Sequence, residues 1–422
     1  MYHYSTDWER ANLEPDNSNG VITEVRGGGT PSTDEPDYWG GNILWLTPKE
    51  ITNDKVPRYV ATTERTITEK GMNSSNAKVL PPRTVMLSSR APVGEVVINK
   101  VPMATNQGFL NFTCGNKLLP EFLYYWLKAN RPYLDVVANG STYPELFVSD
   151  LFEFQIGLPS IEEQRRITTI LGRLDDKIEL NQQINKSLEA IAEAIFERWI
   201  IDFEFPNEEG KPFRSSGGEM VYNEELGREI PKGWDVKPID EIANFLNGLA
   251  LQNYPPEDEG LPVIKIRELR QGASESSDRA SSNIPSEYVV KDGDVLFSWS
   301  GSLELVIWTS GKGALNQHLF KVTSQKFPKW FYYQWILQHL PEYRRIAEGK
   351  ATTMGHIQRH HLKGSLALVP DTATLQRMDK IQRAITEKLI QNGVESRSLV
   401  QVREMLLPKL MSGKIRVPVE IR

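Results

Sequence analysis

Two stretches of the chain have the hydrophobic spacing of long amphipathic helices. From residue 167 to residue 199, apolar residues recur mostly at steps of three and four, the spacing of a coiled-coil seam. A matching series follows 211 residues later, and two seams that match so closely are predicted to pack on each other. The two series are Ile167, Ile170, Leu174, Ile178, Ile184, Leu188, Ile191, Ile195 and Trp199, and Met378, Ile381, Ile385, Leu389, Leu399, Val402, Leu406 and Leu410.

Each seam is interrupted at the corresponding place by an asparagine, Asn181 or Asn392. A polar residue in an apolar seam lowers stability but fixes register, because only one alignment lets the two amides meet. A helix from about residue 161 to residue 199 would be roughly 55–60 Å long at 1.5 Å per residue. That length suits a spacer whose register Asn181 and Asn392 set. The alternative is that both asparagines face solvent.

The rest of each half also repeats in the same order. Short β-rich runs come first, then an aromatic-rich helix predicted to lie in the core, then a short strand that ends at proline before the long helix. This pattern predicts a mixed α/β (α+β) fold with two pseudo-repeated domains. The overlaid segments are 41–51 with 260–270, 84–98 with 294–308, 105–112 with 315–322, and 122–127 with 330–335.

The repeat and the local composition together predict the domain boundaries. Residues 206–218 are polar and rich in Gly, Ser and Pro, which is typical of a linker. The predicted divisions are a first globular domain at 1–158, a first long helix at 159–204, a linker at 205–229, a second globular domain at 230–370, a second long helix at 371–413, and a C-terminal tail at 414–422.

Composition narrows the class of protein. With 39% hydrophobic and 25% charged residues and a net charge of −6, the chain is globular. If it binds nucleic acid, a local patch must carry the contact, or a partner must share the phosphates. No apolar run of about 20 residues and no signal peptide is visible, and Cys114 is the single cysteine. We therefore expect a cytoplasmic protein without membrane contact or internal disulfides.

The motifs of catalysis are incomplete. The Pro-Pro pairs at 81–82 and 255–256 lack the flanking residues of an adenine methyltransferase motif, and the Gly-Lys at 311–312 lacks the Ser or Thr of a P-loop. His356 and His360 are four residues apart but have no third ligand nearby. The chain is therefore predicted to be non-catalytic, with no metal and no cofactor of its own.

Four segments, in the correct order, resemble the specificity (S) subunit of type I restriction–modification systems. They are "GGGTPSTDEPDYWGGNILWLTPKEI" (27–51), "IGLPSIEEQRRITTILGRLDDKIELNQQ" (156–183), "IPKGWDVKPIDEIANFLNG" (230–248) and "LLPKLMSGKIRV" (406–417). The resemblance implies two target-recognition domains separated by two long antiparallel coiled-coil helices. Each domain would read one half of a bipartite sequence in double-stranded DNA.

The same resemblance implies the partners. Two N6-adenine methyltransferase (M) subunits would dock on the chain, and two restriction (R) subunits, which carry the motor and nuclease, would complete the complex. S-adenosylmethionine, ATP and Mg are then expected on the partner subunits. At 371–380 the second half, "DTATLQRMDK", lacks the Glu-Glu-Gln-Arg of 162–165.

Base readout needs side chains that donate and accept at base edges, and the loops between predicted strands carry such residues. Residues shared by both halves, such as Asn106 and Asn316, favour a structural role, because they cannot encode different sequences. Residues that differ, such as Arg90 and Ser300, are better candidates for base discrimination. The predicted DNA-binding residues are Ser89, Arg90, Asn106, Gln107, Ser141 and Thr142 in the first domain, and Arg267, Arg270, Ser298, Ser300, Asn316, Gln317, His318, Lys350, Thr352, Thr353, His356, Arg359 and His360 in the second.

The predicted function is therefore sequence-specific DNA binding within a type I restriction–modification complex. One alternative is the recognition subunit of a fused nuclease–methyltransferase system, which would have the same fold but other partners. Another is a pseudo-symmetric coiled-coil scaffold that binds only proteins. Equal affinity for every DNA sequence in the presence of a methyltransferase would favour the scaffold.

Overall fold

A computed structural model describes residues 7–16, 18–52, 57–90, 92–138, 144–349 and 355–417. The chain forms two compact units. The first contains the chain up to Glu179 and again from Leu399, and the second contains Leu180–Ser398. Both units are mixed α/β, which confirms the α/β part of the predicted fold class. Within the described ranges, no helix is both long and apolar enough to cross a membrane.

The first unit is built from three sheets and the helices that cover them. A five-stranded sheet has the order β2-β9-β6-β7-β4, a three-stranded sheet has the order β5-β3-β8, and β1 pairs with β10. Its elements are β1 (Glu9–Asn12), β2 (Ile22–Gly27), β3 (Trp39–Leu46), β4 (Tyr59–Val60), β5 (Arg65–Ile67), β6 (Val85–Ser88), β7 (Val96–Asn99), β8 (Ala104–Thr105), β9 (Phe109–Cys114) and β10 (Gln155–Leu158), and α1 (Glu69–Asn73), α2 (Pro120–Ala129), α3 (Arg131–Val137), α4 (Val148–Phe152) and the first part of α5 (Ile161–Phe196).

The second unit contains two four-stranded sheets, β14-β21-β18-β19 and β16-β15-β20-β17, and the pairs β11-β12 and β13-β22. It also contains the second part of α5 and the first part of α10. Its elements are β11 (Met220–Asn223), β12 (Arg228–Pro231), β13 (Asp235–Pro238), β14 (Asn244–Asn247), β15 (Leu261–Ile264), β16 (Arg279–Ala280), β17 (Val289–Val290), β18 (Val295–Ser298), β19 (Leu305–Ile307), β20 (Gly313–Leu315), β21 (Leu319–Thr323) and β22 (Leu366–Val369), and α6 (Ile239–Ile242), α7 (Ile266–Gln271), α8 (Lys329–Glu348), α9 (Arg359–Gly364) and α10 (Thr372–Met411).

The strand pairings repeat between the units and correct one of the sequence overlays. β3 runs parallel to β8 and β15 runs parallel to β20, with Trp45 opposite Ala104 and Val263 opposite Ala314. Trp45 therefore corresponds to Val263, and the overlay of 41–51 on 260–270 is wrong by one residue. A one-residue slip would turn every side chain of the strand to the other face.

The aromatic runs lie where the pattern predicts. The whole run from Phe122 to Leu127 on α2 is buried in the core of the first unit. On α8, Trp330, Phe331 and Trp335 are buried in the core of the second unit. These two helices therefore belong to the scaffold of each unit.

Equivalent residues begin the two long helices. Pro159 and Pro370 precede the caps, and prolines at these places keep the preceding chain extended. The Ser160 hydroxyl accepts from the backbone N–H of Glu163 at 3.3 Å, and the Asp371 carboxylate accepts from that of Thr374 at 3.0 Å. Each cap satisfies an N–H group that the first helical turn leaves without a partner. A π-helical turn, Glu197–Ile201, follows α5.

Within the second unit α5 and α10 contact each other in antiparallel directions. The amide of Asn185 donates to the Leu389 carbonyl at 3.1 Å, and the amide of Gln382 donates to the Ala192 carbonyl at 2.9 Å. As residue numbers rise along α5, the contacted numbers on α10 fall.

The two helices also contact each other within the first unit. Asp175 and Arg403 form an ion pair at 2.7 Å. Leu171 shares a buried cluster with Leu407 and Leu410.

The buried faces of the long helices differ in part from the predicted seams. Ile170, Ile191, Ile381 and Val402 are between 38% and 48% exposed, so these four seam assignments are wrong. Leu171, Ala192 and Phe196 are buried instead. The buried Leu171, Ile178 and Ala192 keep a seven-residue spacing, one residue after Ile170 and Ile191, so the buried face has the predicted period but is displaced by one residue at these positions.

Residues 205–229, for which the sequence predicts a linker, lie inside the second unit. Phe205 stacks on Phe213 with ring centroids 4.6 Å apart and on Trp234 at 5.2 Å. The hairpin of β11 and β12 follows. The polar composition of this segment thus accompanies an ordered, aromatic-anchored turn.

Candidate nucleic-acid interface

A close backbone crossing recurs in both units beside the predicted DNA-binding residues. The N–H of Gly29 donates to the Thr105 carbonyl, and that of Leu249 donates to the Leu315 carbonyl, both at 2.9 Å. The preceding residues are Gly28 and Gly248. A Cβ on Gly28 would lie 2.0 Å from the Asn106 carbonyl oxygen, and one on Gly248 would lie 2.2 Å from that of Asn316. Only glycine permits the loop to approach so closely.

Asn106 and Asn316 hold the turn that follows this crossing. The Asn106 side-chain oxygen accepts from the Gly108 N–H at 2.9 Å, and that of Asn316 accepts from the His318 N–H at 3.2 Å. Such a bond, from a side chain to the backbone two residues on, is the usual way asparagine stabilises a turn. Both residues therefore shape the loop, in line with their repetition.

Three of the predicted serines, Ser89, Ser298 and Ser300, are buried, and the Ser298 hydroxyl is bonded within its own hairpin. The Ser298 hydroxyl donates to the Ser302 carbonyl and accepts from the Glu304 N–H, both at 2.7 Å. Its counterpart Ser88 makes the same two bonds in the first unit. Ser89 is also buried. Ser89 and Ser298 are at most 2% exposed, which leaves neither side chain a surface for a base contact.

The residue two places after Ser88 differs from the residue two places after Ser298: the first is Arg90 and the second is Ser300. Arg90 forms a backbone bridge with Glu145, and Ser300 forms the same bridge with His356. Arg90 also pairs with the Glu145 carboxylate at 2.8 Å through Nη2 and 2.9 Å through Nε. The second unit therefore has a hydroxyl and an imidazole where the first has an ion pair.

A cleft of about 600 Å³ in the second unit brings five predicted residues together. Three of its lining side chains are cations, and one is a carboxylate, so the lining has a positive balance. The lining residues include the predicted Arg267, Ser300, Asn316, Gln317 and His318, and also Leu251, Gln252, Val263, Lys265, Ile266, Asp278 and Arg279.

A buried carboxylate holds Arg267 at the cleft. Glu268 is almost completely buried, and its Oε1 accepts from Arg267 Nε at 2.9 Å. Glu268 Oε2 accepts from the backbone N–H of Lys265 at 3.1 Å, which fixes the start of α7. Lys265 pairs with Asp278, and this hydrogen bond lowers the pKa of the Asp278 carboxyl. Arg267 is thus oriented before any ligand arrives.

Ser300 and His318 form a pair within the cleft. The Ser300 hydroxyl and His318 Nδ1 are 3.0 Å apart, and Ser300 is buried while His318 is exposed. Trp299 stands beside both imidazoles of this region, with its ring centroid 5.9 Å from that of His318 and 6.4 Å from that of His356. The hydroxyl fixes the orientation of the His318 ring and leaves Nε2 for a ligand.

The remaining predicted residues are spread over the same surfaces. Arg270 lines a separate cleft of about 740 Å³ and pairs with Glu304 at 2.7 Å. Arg359 and His360 are exposed on α9. In the first unit, the side chain of Gln107 accepts a hydrogen bond from the Thr30 hydroxyl. The predicted residues Ser141, Thr142, Lys350, Thr352 and Thr353 lie outside the described residues.

Sequence reasoning missed Gln252, Lys265 and Arg279 in the cleft. Lys265 stands two residues before Arg267, and its alternation with that residue could have drawn attention to it. Arg279 joins the cleft only because β16 pairs with β15, with Arg279 opposite Pro262. No local sequence signal marks that pairing.

The first unit has a counterpart of α7 that was also missed. The backbone N–H of Thr47 donates to the Glu50 carboxylate at 2.9 Å, as that of Lys265 does to Glu268. Lys49 therefore corresponds to Arg267, and it is exposed. The first unit offers one cation at the two positions where the second offers two, because Thr47 replaces Lys265.

Asn181 and Asn392 are both buried, at 1% exposure, so the solvent-facing alternative is excluded. Asn392 Nδ2 donates to Asn185 Oδ1 at 2.8 Å, and Asn181 Nδ2 donates to Glu395 Oε2 at 2.9 Å. Asn181 also reaches the Asn392 carbonyl at 3.5 Å. The polar contact between the helices is therefore shared among several side chains.

Comparison with known proteins gives one family for both units. The model of the type I restriction modification DNA specificity domain matches residues 18–190 and again residues 231–391. The two matches cover most of the chain, and each coincides with one copy of the repeated strands.

Among curated relatives, the type I restriction enzyme MjaIX specificity subunit of Methanocaldococcus jannaschii is 36% identical, over 94% of this chain and 92% of its own length. The HindI specificity subunit of Haemophilus influenzae is 24% identical over 71% and 78%. The crystal structure of the type I restriction–modification S subunit from M. genitalium has a TM-score of 0.56, 14% identity and full coverage of both chains. That last likeness concerns the fold.

Proposed function

Because the chain belongs to the specificity subunits of type I restriction–modification systems, a non-catalytic class, we propose that it binds a bipartite DNA site. Each unit reads one half-site. The observation that carries this proposal is the repeated frame of Gly28 with Asn106 and of Gly248 with Asn316, on which different side chains are mounted in the two units. A shared frame with unlike side chains is suited to reading two unlike sequences.

The cleft of the second unit supplies the chemistry for DNA. Lys265, Arg267 and Arg279 offer positive charge to phosphates, and Gln317 and His318 offer donors and acceptors to base edges. The net charge of the chain is −6, so this positive lining is a local feature. Such a local patch is how an acidic protein binds a polyanion, and partners can contribute further phosphate contacts.

The long helices act in this proposal as an antiparallel coiled-coil spacer. A helix of 36 residues, the length of α5, measures about 54 Å at 1.5 Å per residue. Two modules that read the same face of a duplex must be separated by about 34 Å or a small multiple of it. Asn181, Asn185 and Asn392 would fix the register of the spacer, because a slip would leave the buried amides of Asn181 and Asn392 unpaired.

The proposal includes the partners that the family implies. Two methyltransferase subunits dock on the chain, and two restriction subunits join to form the restriction complex. The methyltransferase subunits flip an adenine in each half-site, because its amine is otherwise inside the base stack. S-adenosylmethionine, ATP and Mg belong to those partner subunits.

Single-molecule sequencing of DNA from a host that expresses this chain with its methyltransferase subunit tests the proposal. The expected result is N6-methyladenine at one sequence motif with two specified halves and an unspecified gap of fixed length. A host expressing the methyltransferase alone is the control. Methylation without any sequence motif, or duplex binding of equal affinity for all sequences, would contradict the proposal and favour a protein-binding scaffold.

A length change tests the spacer separately. Inserting one heptad-like segment into both α5 and α10 should lengthen the unspecified gap of the methylated motif and leave both half-sites unchanged. An insertion into α5 alone is the control, and it should abolish methylation because the helices then lose their register. A motif with an unaltered gap after the double insertion would refute the spacer model.

A further inference from the structure

Three chain segments of the first unit, around Arg90, Gly108 and Glu145, are held together by backbone hydrogen bonds. The same bonds recur in the second unit around Ser300, His318 and His356. The N–H of Ser89 donates to the Gly108 carbonyl at 2.8 Å, and its carbonyl accepts from the Leu146 N–H at 2.8 Å. In the second unit Trp299 makes the corresponding bonds to His318, at 3.3 Å, and from Ile357, at 3.0 Å. The next residues, Arg90 and Ser300, bridge to Glu145 and His356.

We propose that these three positions are the base-discriminating frame of each unit: Arg90, Gly108 and Glu145 in the first, and Ser300, His318 and His356 in the second. This inference rests on the proposed function and adds which residues distinguish the two half-sites. None of the three side chains is the same in both units, although the backbone that presents them is shared. The backbone geometry of these positions is the same in both units and the side chains differ, as is expected of residues that give two units different base specificities.

In the first unit the frame presents an oriented arginine. Glu145 Oε1 accepts from both Nε and Nη2 of Arg90, which fixes the plane of the guanidinium and leaves its Nη1 edge pointing away from the carboxylate. An arginine edge with two parallel donors matches O6 and N7 of guanine in the major groove. Arg90 therefore reads a guanine in the first half-site, and Glu145 is its positioning residue.

The space beside Arg90 supports this assignment. A Cβ on Gly108 would lie 2.9 Å from Pro48 Cγ and 3.1 Å from Asn106 Oδ1, so the third position of this frame is too tight for a side chain. Arg90 is thus the single base-facing donor of the frame, and its side chain is about half exposed.

In the second unit the frame presents an oriented imidazole. Ser300 holds His318 Nδ1 at 3.0 Å, so Nε2 is the nitrogen offered to a base edge. His318 also lines the cleft that contains Lys265, Arg267 and Arg279, which places it beside the positive charge available for phosphates. His318 is the discriminating residue here, and Ser300 is its positioning residue.

Reciprocal variants, sequenced for methylated adenine in the host with the methyltransferase subunit, test the frame. Arg90→Ser should relax or change one guanine position of one half-site by at least about tenfold, and leave the other half-site as in wild type. The triple change Ser300→Arg, His318→Gly, His356→Glu should alter only the opposite half-site. Each variant serves as the other's control.

Three milder variants keep the test decisive if the triple variant does not fold. Arg90→Lys retains the charge but loses the two-donor edge, so it should lose discrimination at the same position as Arg90→Ser. Ser300→Ala should relax the position that His318→Gly relaxes, and Ser300→Thr should restore it. A change in overall methylation without a change of motif is what a merely structural role would give, and it would overturn the inference.

The outcomes separate this inference from the proposed function. If wild-type protein yields no bipartite motif, the proposed function fails. If wild type yields one and the folded variants methylate the same motif, or change both halves together, the proposed function stands and the frame is overturned.

Discussion

The first and second units share a loop crossing and a hairpin in their backbones but carry different side chains around them. Gly28 and Gly248 permit the same loop crossing, and Ser88 and Ser298 close the same hairpin. Beyond that scaffold the surfaces diverge, because Lys265 and Arg267 in the second unit stand where Thr47 and Lys49 stand in the first. The difference shows how a repeated domain can keep its backbone while the side chains on its surface change.

The comparison also sorts polar residues by what they contact. Side chains that bond the backbone, such as Asn106 and Asn316, are repeated, since both units need the same turn. Side chains that bond other side chains, such as Arg90 with Glu145 and Ser300 with His318, are not repeated. Repetition within one chain thus distinguishes the side chains that shape the shared backbone from those that differ between the units.

The largest expected effect on stability comes from adding a methyl group at the glycine where the loop crosses the neighbouring backbone in each unit. Gly28→Ala and Gly248→Ala should each lower the free energy of unfolding by about 3 kcal/mol, because a methyl group would overlap a backbone carbonyl. Chemical denaturation measures this, with Gly27→Ala as the neighbouring control, since nothing lies within 4 Å of its added Cβ. Unequal effects at Gly28 and Gly248 would break the equivalence of the two units.

A smaller loss is expected from the buried amides of the helices. Asn392→Ala removes a buried amide that donates to Asn185 Oδ1 and should lower the free energy of unfolding by about 2 kcal/mol, because that partly buried acceptor loses its partner. Gln391→Ala, at the exposed adjacent position, should change it by less than about 0.5 kcal/mol. Similar values for the two variants in denaturant melts would show that the amide contact contributes little.

The caps of the two long helices are expected to differ in how their contributions to stability depend on pH. Ser160→Ala and Asp371→Ala should each lower the free energy of unfolding by about 1 kcal/mol at neutral pH. Burial raises the pKa of Asp371, but hydrogen bonds from Thr374 and Ala373 outweigh it and lower that pKa below its ordinary value. The carboxylate therefore stabilises the folded state above its unfolded-state pKa, and this contribution is lost as the pH falls through the folded-state pKa.

Denaturation at neutral and acidic pH checks the caps. The cost of Asp371→Ala should shrink toward acidic pH, whereas the cost of Ser160→Ala should stay constant, since a hydroxyl does not titrate there. A cost of Asp371→Ala that is the same at both pH values would contradict the assignment of the carboxylate as the cap.

The smallest effect is expected at a single phosphate-facing cation. Arg279→Ala should weaken binding to all duplexes by several-fold and reduce the slope of log affinity against log salt by about 0.9. Arg383→Ala, on α10 and paired with Asp379, is the matched control and should leave the slope unchanged. A loss confined to one DNA sequence would move Arg279 from phosphate contact to base readout.

Much of the fold follows from the sequence. The repeated order of strands, the aromatic core helices and the start of α5 near residue 161 come from patterns that need no distant information. The fine placement does not. Ile191 is exposed and Ala192 is buried, in the same series as Leu171 and Ile178, because spacing alone does not tell which of two neighbouring residues faces inward.

The candidate site was less predictable for a similar reason. Serine is a residue type that can contact base edges, but the hairpin turns the Ser298 hydroxyl inward to the Ser302 carbonyl. Arg279 has no local signal, and only the pairing of β16 with β15 brings it to the cleft. The side-chain amide of Asn392 donates to Asn185, and Asn181 donates to the Asn392 backbone carbonyl, because the partners of a buried amide depend on how two helices are staggered.

The composition of the first unit has a consequence for synthesis. Its core includes Leu407, Leu410 and Met411, and Arg416 bonds Glu163 at 2.7 Å. These residues leave the ribosome only after the whole of Leu180–Ser398 has been translated. The unit encoded first is thus the one completed last. Until Leu407, Leu410 and Met411 are translated, Ile167 and Leu171 lack these members of their buried cluster. A stalled or truncated chain would therefore release a finished second unit attached to an unfinished first.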